Sequence, residues 1–158
     1  MKTVLAPQKF NQEKRPFVFL AGSIEMGKAS LWQDYVIQKL EMFEGTILNP
    51  RRTSWDVSWE QSIHNEKFKE QVDWELDGIE QSDIILFYFD PHTLSPITLM
   101  EYGLSIGLGK QILVACPKPF WRKGNIEVLA SRHTLSVLPS IDELVNEAKS
   151  ILSVRNFN

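Results

Sequence analysis

The run Asp83–Phe89, DIILFYF, constrains the fold of this chain more than any other segment. A short stretch so uniformly apolar and aromatic reads as a strand buried on both faces, not as one alternating between core and solvent. Such a strand needs a sheet around it and helices above and below. The flanking sequence supplies both. Pro16–Ala21 (PFVFLA) is a second buried strand, followed by a loop at Gly22–Gly27. Ala29–Phe43 carries Leu31, Tyr35, Ile37, Leu40 and Met42 near helical spacing, and Gly45 stops it. Thr46–Leu48 is a strand closed by Asn49-Pro50, and Arg51–Glu60 is a loop rich in Trp and Arg.

Asn65–Gln81 has Phe68, Val72, Leu76 and Ile79 at helical spacing. Ser95 and Pro96 read as the N-cap and first residue of a helix reaching about Leu108. Gln111–Cys116 is a fourth strand, Asn125–Arg132 a short helix, Leu135–Val137 a fifth strand, and Ile141–Ser153 the last helix. Met1–Arg15 reads as an irregular arm. The expected fold is α/β: a single domain over residues 1–158, with a five-stranded parallel sheet and helices on both faces, flavodoxin-like or Rossmann-like. Ligands bind such sheets beyond the carboxyl ends of the strands. That selects the loops Gly22–Gly27, Asn49–Glu60 and Asp90–Ser95.

Composition narrows the function. The chain has 158 residues and a net charge of −3, with Lys and Arg spread throughout. That balance argues against holding DNA or RNA by the phosphates. The one cysteine, Cys116, lies in an apolar run, which excludes an internal disulfide and argues against a cysteine metal site. His64, His92 and His133 have no metal-ligand spacing, so no metal or cofactor is expected. No run reaches the ~20 apolar residues of a membrane span, and Met1–Lys14 lacks the apolar core of a signal peptide. A cytoplasmic home is expected.

Two carboxylates stand where apolar residues belong. Glu101 is four residues after Ile97 and three before Leu104, on the stripe Ile97–Leu104–Leu108 and close to the helix start. The positive end of the helix dipole favours its ionised form. Glu75 repeats the pattern between Val72 and Ile79. A carboxylate facing the core is costly unless paired, bonded or used. Each is either a structural tie to a neighbouring Arg, Trp or Tyr, or part of a working pair. Two carboxylates, one ionised and one protonated, are the usual machinery for breaking glycosidic bonds.

The run SPITLMEYGL at Ser95–Leu104 resembles the nucleoside 2-deoxyribosyltransferases. So do VFLAGSIE (Val18–Glu25), ILNPRR (Ile47–Arg52), FKEQVDWELDGIEQSDIILFYFD (Phe68–Asp90) and FWRKGNIEVLA (Phe120–Ala130). The resemblance implies transfer of 2-deoxyribose between nucleobases through a covalent deoxyribosyl–enzyme intermediate. It implies Glu101 as nucleophile and Glu75 as the acid that protonates the base, where the best-known members carry Asp. A second base-side Asp of those members falls at Ser95. Ala21, Gly22 and Ser23 resemble the loop lining the sugar pocket. Asn125 and Glu127 are the nearest candidates for 5′-hydroxyl ligands supplied by a neighbouring subunit, which implies a homo-oligomer. The implied partners are deoxynucleosides and free nucleobases. Trp55, Trp59 and Trp74 offer flat surfaces for a base, and packing in a core or lid is the alternative for each.

Three other readings compete. Gly22–Ala29 fits part of a phosphate-binding loop, with Asp90 ending a strand as a Mg²⁺ ligand would. Ala29 stands where a Ser or Thr should hold the Mg²⁺, and Glu25 puts negative charge in the cradle. A deoxynucleoside-monophosphate glycosidase would keep the nucleophile but use water as acceptor. It would bind phosphate through Ser23, Arg51, Arg52 or Arg122, against the charge of Glu127. A binding module without activity would not need acidic residues at both key positions.

Overall fold

Strand β4 (Ile84–Tyr88) sends Ile84 and Leu86 to one face of a sheet and Ile85 and Phe87 to the other, and all four are sealed from solvent. This arrangement comes from a computed structural model, which describes residues 1–24, 31–52, 56 and 58–154. Its neighbour β2 (Phe17–Gly22) divides in the same way. Val18 and Leu20 face one side, and Phe17, Phe19 and Ala21 the other. The two strands pair in parallel, with Val18 opposite Ile84 and Gly22 opposite Tyr88. They form the centre of the sheet because only central strands can bury every side chain.

The remaining strands are β1 (Lys2–Leu5), β3 (Thr46–Asn49), β5 (Ile112–Ala115) and β6 (Val137–Leu138). All pairings are parallel, in the order β1-β3-β2-β4-β5-β6. Helices α1 (Trp32–Leu40) and α5 (Ile141–Val154) cover the face of Val18 and Leu20. Helices α2 (Glu66–Gln81), α3 (Pro96–Gly107) and α4 (Lys123–Arg132) cover the face of Phe19 and Phe87. The α/β architecture is the expected one, with six strands in place of five.

The extra strand corrects the reading of Met1–Arg15 as an irregular arm. β1 lies at the sheet edge and buries only Val4 fully. An edge strand this short and this polar carries little hydrophobic period for the sequence to show.

β2 leads through α1 to β3 on one side, and β3 leads through α2 back across to β4 on the other. Helix α1 after β2 and helix α3 after β4 therefore lie on opposite faces of the sheet, and ligands bind such sheets at the carboxyl end of this switch point. A glycine lets α2 approach the strands under it. A Cβ on Gly78 would stand 2.6 Å from the Phe19 ring. This contact sets the depth of the helix that carries Glu75.

Candidate active site

The carboxyl ends of β2 and β4 are pinned together by hydroxyl groups. Where β2 ends, the Ser23 backbone N–H donates to the Tyr88 carbonyl at 3.2 Å. The Ser23 Oγ accepts the backbone N–H of Asp90 at 3.0 Å and the Thr93 hydroxyl at 2.8 Å. It also shares a hydrogen bond with the Ser95 hydroxyl at 2.5 Å, and Thr93 and Ser95 stand 2.7 Å apart. Three buried hydroxyls thus close a triangle in which each can donate to the next. Gly22 permits this: a Cβ there would lie 2.5 Å from the Tyr88 carbonyl oxygen and 2.6 Å from the Trp32 ring.

The triangle changes the role expected of Ser95. It does occupy the N-cap position of α3, with Pro96 first in the helix. Its side chain makes no capping hydrogen bond, because the hydroxyl turns inward to Ser23 and Thr93. The residue takes a left-handed conformation (φ 48°, ψ 51°) that redirects the chain into the helix.

α3 then presents Thr98, Glu101, Tyr102 and Ser105 to the protein interior. The apolar stripe expected to accompany Glu101 faces outward instead. Ile97 is 57% exposed, Leu104 37% and Leu108 48%. The physical reason is packing depth. The inward side lies against Phe87 and Phe89, where the Tyr102 ring packs edge-on and small Thr and Ser side chains fill the rest.

Glu101 is 7% exposed. Among the described residues, none gives its carboxylate a hydrogen bond or an ion pair. Burial, and secondly the charge of Glu75, push its pKa up to about 8. Glu75, half-buried on α2, is held above the usual carboxylate range by burial. The Gln71 amide, donating to Glu75 Oε1 at 2.9 Å, partly offsets that rise. The two helices therefore bring both carboxylates into electrostatic contact. Burial and mutual repulsion therefore both oppose ionising the two carboxylates together.

Ala21, Gly22, Ser23 and Ser95 line the strand ends just described. The other expected ligands are dispersed. Trp74 packs among Phe10 and Phe19, with its indole N–H on the Gln8 carbonyl at 2.8 Å, which is the core role left open for it. The Arg52 guanidinium and the Lys67 ammonium both lie over the Trp59 ring, at 5.1 and 5.7 Å from its centre. Trp55 lies outside the described residues, as do Glu25, Lys28 and Ala29 of the phosphate-loop reading. Asn125 and Glu127 are exposed on α4, where Glu127 pairs with Lys123 at 3.3 Å. Asp90 accepts the backbone N–H of His92. Among the described residues, no group of three or more His, Cys, Asp or Glu could hold a metal ion.

Gln71 and Thr93 were not singled out in the sequence. Gln71 stands four residues before Glu75 and so on the same helix face, a relation visible in the spacing. Thr93 sits in a loop, where no period reports burial.

A model of the family described as "Nucleoside 2-deoxyribosyltransferase like" matches residues 15–120. The chain belongs to this nucleoside 2-deoxyribosyltransferase-like family. The matched span contains Ala21–Ser23, Trp55, Trp74, Glu75, Ser95 and Glu101, and it ends before Asn125 and Glu127. A solved structure titled "Crystal structure of conserved protein from Enterococcus faecalis V583" has the same fold. It superposes with a TM-score of 0.57 over 86% of this chain and 98% of that one, at 15% sequence identity. No curated protein matches the sequence. For a member of this deoxyribosyltransferase-like family, a pair of enclosed carboxylates at the mouth of the sheet is a direct functional lead.

Proposed function

We propose that this protein transfers 2-deoxyribose between nucleobases, with Glu101 as nucleophile and Glu75 as acid. The observation that carries the reading is Glu101 itself: an enclosed carboxylate with no hydrogen bond or ion pair among the described residues to offset its burial. A structural tie would show a partner. A nucleophile is kept without one.

In the reaction the C1′–N bond breaks and its electron pair stays with the base. A Glu101 oxygen forms the new bond to C1′, and Glu75 gives its proton to the departing base. C1′ of a 2-deoxyribosyl group ionises readily, because no 2′-hydroxyl withdraws charge. Return of a second base along the same path regenerates Glu101. In the empty site burial favours protonated Glu101, whereas the chemistry needs Glu101 ionised and Glu75 protonated. A bound base turns the balance. Its acceptor atom draws the proton to Glu75, and positive charge growing at C1′ stabilises ionised Glu101.

Homo-oligomerisation is part of this proposal. The outward ridge of Leu94, Ile97, Met100 and Leu104, beside Glu101 on α3, is exposed and apolar. A second copy covering it would close the open side of the site, and Asn125 and Glu127, both exposed on α4, would then reach a neighbouring sugar. The glycosidase reading draws less support, since Arg52 pairs with Glu70 at 3.1 Å and Arg51 donates to Gln33 at 3.2 Å. The test is base exchange: thymidine and adenine incubated with the protein should yield deoxyadenosine, and folded Glu101→Ala should yield none. Release of free deoxyribose without exchange would select the hydrolase. Full exchange by Glu101→Ala would end the proposal.

A further inference from the structure

Gln71 lies on the buried side of α2, and its amide nitrogen is fully committed. It donates to the Pro50 carbonyl at 2.8 Å and to Glu75 Oε1 at 2.9 Å. The orientation of the amide is dictated by Pro50. A carbonyl can face only a donor, so the NH2 group must point at it. The amide has two hydrogens, and the two bonds use both. The cost of this choice is visible: Gln71 Oε1 is buried with no hydrogen-bond partner. The geometry is set by what Pro50 and Glu75 require, not by the best arrangement for Gln71 alone.

A consequence follows for the acid. Glu75 Oε1 accepts an N–H, and in a protonated carboxyl the carbonyl oxygen accepts better than the hydroxyl oxygen. When Glu75 is protonated, the bond therefore favours the proton on Oε2. We propose that Gln71 is a positioning residue of the proton-transfer step, anchored on the end of β3 through Pro50, which makes Oε2 the favoured acidic oxygen of Glu75. The inference rests on the transferase reading and deepens it. In the step, the Oε2–H bond breaks as a base nitrogen takes the proton. The C1′–N electron pair remains on that base, and Glu75 is left ionised with Oε1 still receiving the Gln71 amide. The hydrogen bond does two things at once. It aims the proton, and it stabilises the carboxylate that the transfer leaves behind. The titratable neighbour coupled to Glu75 is Glu101 on α3.

Two variants test this. Gln71→Met keeps the volume and removes both donors. Gln71→Glu keeps the shape but leaves at most one hydrogen, which Pro50 claims. Each would be checked for folding by thermal melting and then assayed with deoxyinosine and with 7-methyl-2′-deoxyguanosine, whose base is already cationic and leaves without taking a proton. The expected result is a kcat loss of roughly tenfold to hundredfold for deoxyinosine, at the lower end of what a general acid contributes, with little change in KM. The basic limb of its pH profile should move upward, because the bond that favours ionised Glu75 is gone. Turnover of the methylated substrate should stay within about threefold of the parent, a small change beside the effect of a general acid. Equal losses on both substrates with an unmoved pH limb would overturn the inference and leave Gln71 a packing residue. Failure of the parent protein to cleave either substrate would overturn the transferase reading, and this inference with it.

Discussion

Glu101, enclosed with no hydrogen bond from any described residue, is held in the fold at a cost, and that cost has a measurable sign. The Glu101 pKa is raised from 4.5 to about 8. The folded state therefore binds its proton more tightly than the unfolded state does. This contribution to stability is complete below about pH 4.5 and is lost as pH rises through about 8. Glu101→Gln has no proton to lose. Its melting temperature should match the parent near pH 5 and exceed it at pH 9 by roughly 3 °C or more. A constant difference across that range would show that Glu101 titrates normally. At this scale the sequence singled out both glutamates, but the stripe on which it placed Glu101 faces outward, and Glu101 is buried with Thr98, Tyr102 and Ser105 instead. The sequence was silent on the hydroxyl triangle, whose members meet only when the ends of β2 and β4 come together. It also misread Ser95, whose N-cap position was legible but whose inward hydroxyl depends on Ser23.

At the scale of elements, the strands were easier to read than the faces of the helices. β2 and β4 are buried on both sides, so their sequences are apolar throughout and need no period. In α3 the apolar residues outnumber the buried positions, and periodicity alone could not say which side would meet the sheet. It chose Ile97, Leu104 and Leu108, whereas the interior takes Thr98, Tyr102 and Ser105 together with Glu101. α2 is positioned by a contact equally invisible in sequence, that of Gly78 against Phe19. Two effects of Gly78→Ala oppose each other. Helix propensity favours alanine by up to about 1 kcal/mol, while forcing a methyl against the ring costs about 1–3 kcal/mol. Overpacking should win, so the variant should melt several degrees lower. A variant at or above the parent melting temperature would show that Phe19 can move aside, and that the depth of α2 is set elsewhere.

The whole molecule joins these pieces through topology. The chain reverses direction across the sheet between β3 and β4, so the helices after β2 and β4 lie on opposite faces. That arrangement was legible, since a parallel sheet with alternating helices leaves few alternatives. The sixth strand was not, because an edge strand can be short and polar. The outward ridge on α3 bears on assembly. Ile97 and Met100 are each 57% exposed, which is costly for a lone molecule with a charged surface available. Light scattering should find an oligomer at micromolar concentration, and Met100→Glu should convert it to monomers. A parent protein that stays monomeric would contradict a site completed between subunits.

The central claim is that Glu101 attacks C1′, and its most direct measurement is the mass of the protein after brief mixing with a deoxynucleoside and no acceptor base. A gain equal to one dehydrated deoxyribose is expected, carried by the peptide containing Glu101 and absent from Glu101→Gln. The same adduct on another residue, or rapid turnover with every attempt to trap an adduct failing, would contradict it.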